Sequence, residues 1–103
     1  MTKNEIAVEF LRLKKYGYKV KSFGDNRSLR RGQTGFVDTV IFNRKNLIFI
    51  EVKVGKDTFS EEQLETADLL SSVAAINKTV YYYIVNDVKD AKLLVDIILR
   101  GDL

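Results

Sequence analysis

An α/β domain with a central mixed sheet of about four strands flanked by helices, in the order α-β-β-β-α-β-α, is the fold class this sequence predicts. Three observations predict it. Two β-rich runs, residues 36–43 and 47–54, are joined by the short polar turn Asn43-Arg44-Lys45-Asn46, a hairpin signal. A helical pattern then separates them from a further apolar run at residues 79–85. Finally, 103 residues suit one hydrophobic core and leave no room for a second, so residues 1–103 read as a single domain.

The elements follow in order. Over residues 4–16, Ile6, Phe10 and Leu13 fall on one stripe with Ala7 and Leu11 beside it, which is helical spacing, and Gly17 is placed to end the helix in a left-handed cap. Residues 18–23 alternate apolar and basic side chains, as a short edge strand does. Residues 24–35 form a polar, glycine-bearing, Arg-rich loop. In the run 47–54, Ile48, Ile50, Val52 and Val54 point one way and Leu47, Phe49, Glu51 and Lys53 the other, so both faces start apolar and the strand reads as central. Ser60-Glu61-Glu62-Gln63 is a capping-box pattern, opening a helix that turns Leu64, Ala67, Leu69 or Leu70, and Val73 or Ala74 inward. Residues 79–85 read as a buried strand, and residues 87–99 as an amphipathic helix with Ala91, Leu94, Val95 and Ile98 on its apolar face.

Composition excludes much chemistry. With no cysteine and no histidine, thiol nucleophiles, zinc-thiolate sites, iron–sulfur clusters, His bases and Ser-His-Asp arrangements are all ruled out. What remains is carboxylate, lysine, hydroxyl and amide. An oxygen-rich site of that kind suits magnesium, manganese or calcium. No apolar run approaches the roughly 20 residues of a membrane helix, and the N-terminus lacks a signal-peptide pattern, so no membrane association and a cytoplasmic location are expected. Charge is uneven: residues 1–33 carry nine Lys or Arg against three acids, and the remainder eight against eleven. A basic third of that kind is a footprint for a polyanion, and equally a solvated face.

Three polar residues stand where strand chemistry alone would not put them. Asp38 lies within an apolar strand, where Asp is depleted. Glu51 and Lys53 interrupt the best strand of the chain on one face, and pairing through the turn at 43–46 brings Asp38 beside Glu51. Two carboxylates can hold Mg²⁺ while leaving positions for water and a phosphate oxygen, and a lysine two residues away can orient the water or offset charge at phosphorus. The structural alternatives are a turn-capping Asp38, an ion pair between Glu51 and Lys53, and a Gln63 that only caps its helix.

The spacing Gly35-x-x-Asp38, twelve residues, then Glu51-x-Lys53 is similar to that of the PD-(D/E)XK nuclease superfamily. The longer string, Gly35-Phe-Val-Asp38, Phe49-Ile-Glu51-Val-Lys53-Val-Gly55 and Ser60-Glu-Glu-Gln63, resembles the VRR-NUC branch and its Holliday-junction-resolvase relatives. One departure is Val37, where the family often has Pro. The resemblance implies a restriction-endonuclease-like domain and a magnesium-dependent endonuclease, with Mn²⁺ able to substitute. It would hydrolyse DNA phosphodiester bonds, on branched or structured DNA such as a Holliday junction or flap, as a homodimer. It implies Asp38 and Glu51 as metal ligands with the Val52 carbonyl, Lys53 as the catalytic lysine, Gln63 lining the site, and Glu5 (Glu9 as second choice) as a helix-borne acid completing the metal shell. Arg27, Arg30 and Arg31, with Lys14, Lys15 and Lys56, are the candidate nucleic-acid contacts, and Lys19 and Lys21 extend that surface. Tyr81-Tyr82-Tyr83 read as core or dimer surface rather than as base-stacking groups. The competing readings are a non-catalytic nucleic-acid-binding module that retains the nuclease fold, and a nuclease directed at RNA.

Overall fold

Asn43 closes the hairpin from which the sheet is built. Its side-chain Oδ1 accepts from the backbone N–H groups of Lys45 (2.9 Å) and Asn46 (2.8 Å), and its own N–H donates to the Asn46 carbonyl. The turn sets the register of the flanking strands, β2 (Thr39–Phe42) and β3 (Leu47–Val52), with Phe42 opposite Leu47 and Thr39 opposite Ile50. The computed structural model describes residues 3–23, 36–56 and 58–103. Its other elements are α1 (Lys3–Leu11), continued by a 3-10 turn (Arg12–Tyr16), β1 (Lys19–Ser22), α2 (Glu61–Ile76), β4 (Val80–Val85) and α3 (Val88–Arg100).

The sheet runs β1-β2-β3-β4, with β1, β2 and β3 antiparallel in turn and β4 parallel to β3 across the α2 connection. This is the α/β architecture with a four-stranded mixed sheet that the sequence predicts. Because side chains alternate across a strand, the register creates two unlike faces. One face carries Val20, Ile41, Ile48, Ile50, Val52 and Val85, and α1 and α3 cover it with Ile6, Phe10, Ala91, Leu94, Val95 and Ile98. Burial of each such Ile or Leu contributes about 1.5–3 kcal/mol, and this layer is the core. The other face carries the row Lys21–Val40–Phe49–Tyr82. Phe36 lies edge-on to both Phe23 (6.1 Å) and Phe49 (6.0 Å), so an aromatic cluster covers part of this side.

Three details differ from the sequence reading. The first helix relaxes into a 3-10 turn at Arg12 before Gly17 caps it at φ +91°. Strand β2 starts at Thr39 rather than at residue 36, because Phe36 folds onto Phe49. Strand β4 is an edge strand with only Val85 buried, and α2 buries none of its residues. Leu64, Leu69 and Val73, read as inward, are exposed, while Ala67, Leu70 and Ala74 are half-buried. Among the described residues, no helix is long and apolar enough to cross a membrane.

Candidate active site

The chain stays bonded to β3 just before Thr39, but out of register. The Asp38 N–H donates to the Ile50 carbonyl at 3.1 Å, one residue out of the register in which Thr39 faces Ile50, so the strand bulges at Asp38 beside the end of the central pair. The Asp38 side chain then substitutes for a missing ladder partner: Oδ2 accepts from the Val52 N–H at 2.8 Å. The hairpin thereby brings the Asp38 and Glu51 carboxyl groups together, within side-chain hydrogen-bonding reach.

Glu51 is 1% exposed and Lys53 8%, unusual burial for charged residues. Lys53 has a complete set of partners. Its Nζ donates to Gln63 Oε1 at 2.6 Å and to the Thr58 carbonyl at 3.1 Å, lies 4.8 Å from the centre of the Phe59 ring, and stands 3.8 Å from Glu51 Oε1. Its backbone is fixed too, by N–H donation to the Val85 carbonyl and by Asn86 Nδ2 donating to its carbonyl at 3.0 Å. Gln63 joins the two groups. Its Oε1 also accepts from the Ser60 N–H in the capping box, and its Nε2 reaches Glu51 Oε1 at 3.4 Å. One side chain thus caps α2 and bonds both Lys53 and Glu51.

The electrostatics follow from this packing. Burial, then hydrogen bonding to Asp38 and the Asp38 charge, raise the Glu51 carboxyl from 4.5 to about 8, against the smaller opposing effects of Lys53 and Lys3. The Tyr82 phenol, on the same face one row away, rises to about 12 through burial and then the Glu51 and Asp38 charges. Two adjacent carboxylates, one of them buried, call for a proton or a cation between them.

Glu5 is exposed, because Ile6 and Phe10 anchor the apolar stripe of α1 and Glu5 falls about 100° and 140° around the helix from them. Glu9 pairs with Arg12 at 3.2 Å. Among the described residues, no group of three acidic side chains is close enough to hold a metal ion. From α1, Lys3 reaches Asp38, with Nζ 3.6 Å from Oδ1. Lys3 and Ala7, four apart on one side of α1, line the cavity beside Asp38. Thr58 and Phe59 around Lys53 carried no such signal, since loop residues have no period. Lys14 and Lys15 are exposed on the 3-10 turn, and Lys14 lines a groove of about 400 Å³ with Lys19 and Lys21. Lys56 is exposed just beyond Gly55, while Arg27, Arg30 and Arg31 lie outside the described residues.

The donor set suits a hard divalent cation. Asp38, Glu51 and the Val52 carbonyl offer only oxygen, and magnesium is commonly held by one or two carboxylates with water and substrate phosphate filling the rest. The residues present therefore fit magnesium without a third acid.

No protein-family model matches the chain, and no curated protein matches it significantly. A solved structure of a Holliday junction resolvase from the archaeal hyperthermophile Archaeoglobus fulgidus is similar at a TM-score of 0.46 and 20% identity, over 82% of this chain and 67% of that one. That likeness is too distant to assign an activity.

Proposed function

We propose that this chain is a magnesium-dependent endonuclease of the PD-(D/E)XK type, hydrolysing DNA phosphodiester bonds on branched or structured DNA. The observation that carries the reading is the buried Glu51 carboxylate set against Asp38, with the buried Lys53 ammonium 3.8 Å from Glu51. A structural ion pair does not need a second carboxylate, and burying one without a cation is costly.

Asp38, Glu51 and the Val52 carbonyl are the proposed magnesium ligands. Bound there, magnesium would acidify the attacking water and neutralise charge on the phosphoryl oxygens. Lys53 is the proposed electrostatic catalyst. Its ammonium offsets the negative charge that builds as water attacks phosphorus, and Gln63 and the Thr58 carbonyl hold it in place so that little reorganisation is needed. Lys14, Lys15 and Lys56, with Arg27, Arg30 and Arg31, are proposed to hold the sugar–phosphate backbone. The exposed Leu69, Val73 and Ile76 of α2 supply an apolar surface suited to the proposed homodimer.

A cleavage panel tests the reading: end-labelled four-way junction, flap, linear duplex and RNA, each with Mg²⁺, Mn²⁺ or EDTA. Metal-dependent cutting of branched DNA in preference to duplex and RNA is the expected result. The groove lined by Lys14, Lys19 and Lys21, which can hold a polyanion without the carboxylates, is what favours the second reading, a DNA-binding module without catalysis. Salt-sensitive binding with no cleavage under any metal would establish it.

A further inference from the structure

We infer that Lys3 is a further phosphate-binding lysine, which holds a backbone phosphate of the nucleic acid in the cavity between α1 and the Asp38 end of the sheet. The inference rests on the nucleic-acid reading above and names a contact that reading lacks. Asp38 uses its two oxygens differently: Oδ2 accepts from the Val52 N–H, while Oδ1 faces Lys3 Nζ at 3.6 Å. On the far side of the pair, Glu51 faces Lys53 at 3.8 Å. The two carboxylates are thus flanked by one ammonium on each side.

Beside Asp38 and Lys3 is a cavity of about 220 Å³, lined also by Asn4, Ser22, Thr39 and Val52. Its polar lining is rich in donors: an ammonium, a carboxamide and two hydroxyls against one carboxylate. That carboxylate repels an anion while it is uncompensated. A divalent cation held by Asp38 and Glu51 would remove the repulsion and replace Lys3 as the counter-charge of Asp38, leaving the ammonium beside the cavity to meet an anion. Lys3 can make that exchange cheaply, because its side chain is 37% exposed and needs little desolvation in either arrangement. A phosphodiester backbone crossing the carboxylate pair would then meet Lys53 at one phosphate and Lys3 at its neighbour.

Counterion release gives a test that does not depend on cleavage. Binding of a fluorescent four-way junction is measured by anisotropy, with Ca²⁺ in place of Mg²⁺, over a salt series for wild type, Lys3→Ala and Lys3→Arg. Loss of one phosphate contact lowers the slope of log K against log salt by about 0.9. The expected result is that Lys3→Ala binds about tenfold more weakly with that reduced slope, and that Lys3→Arg keeps both affinity and slope. Wild-type slope and affinity in a Lys3→Ala protein that melts like wild type would overturn the inference. So would an equal loss in Lys3→Arg with no change of slope, which marks a purely structural role. Failure of the nuclease reading is seen separately, as a wild type that binds the junction but cuts nothing in Mg²⁺.

Discussion

Gln63 accepts from the Lys53 ammonium at 2.6 Å with the same Oε1 that accepts from the Ser60 N–H to close the capping box of α2. One side chain therefore serves a helix terminus and a buried lysine, and the two roles separate by substitution. Gln63→Ala loses both, and thermal melting should show about 1 kcal/mol of destabilisation. Gln63→Glu keeps an acceptor for Ser60 and Lys53 but removes the donor to Glu51 and adds a charge beside it. It should melt near wild type at pH 6, where Glu51 holds its proton, yet cleave poorly. Equal cleavage by Gln63→Glu and wild type would show that Gln63 is a cap only.

Glu51 gives the metal-free protein a pH dependence of definite sign. Its carboxyl is raised from 4.5 to about 8, first by burial and then by Asp38. Between those values the folded chain keeps a proton that the unfolded chain has released. This group's contribution to stability therefore falls as pH rises from about 4.5 and reaches its full penalty above about 8. In EDTA, the urea midpoint should drop between pH 5 and pH 9, and Glu51→Gln should flatten the drop. Saturating Mg²⁺ should flatten it as well, because the cation takes the place of the proton. A wild-type midpoint with no dependence on pH or Mg²⁺ over that range would contradict the account.

Gly17 ends the first helical segment at φ +91°, where its N–H bonds to the Leu13 and Lys14 carbonyls. An added Cβ would meet nothing within 4 Å, so the cost of Gly17→Ala is conformational rather than steric. The expected loss is about 1 kcal/mol by thermal melting, with cleavage unchanged. A variant as stable as wild type would mean that the terminus relaxes out of the left-handed conformation.

The hairpin and the Asp38–Glu51 juxtaposition were legible in the sequence because both follow from a period of two and a four-residue turn. The core stripe Ile6, Phe10 and Leu13 was legible for the equivalent reason at helical period. Glu5 was expected at the site on resemblance alone, and its exposure follows from that same stripe. The exposure of β4 and α2 was not legible. The runs at 64–74 and 79–85 are as apolar as buried elements, and a sequence does not reveal that the sheet ends at β4 or that α2 lies against that edge. Lys3 was missed because an N-terminal lysine has no apolar pattern of its own. Only the docking of α1 beside the end of β2 turns it toward Asp38.

The central claim is that Asp38 and Glu51 form a metal centre for phosphodiester hydrolysis, and single-turnover cleavage of a labelled four-way junction across a Mg²⁺ titration tests it most directly. Wild type and Asp38→Asn are compared at protein concentrations that bind all of the junction. The account predicts a wild-type rate that is zero in EDTA and saturates with Mg²⁺, and an Asp38→Asn rate at least about a hundredfold lower with the junction still bound. Cleavage by Asp38→Asn at the wild-type rate, or a wild-type rate indifferent to Mg²⁺, would contradict it.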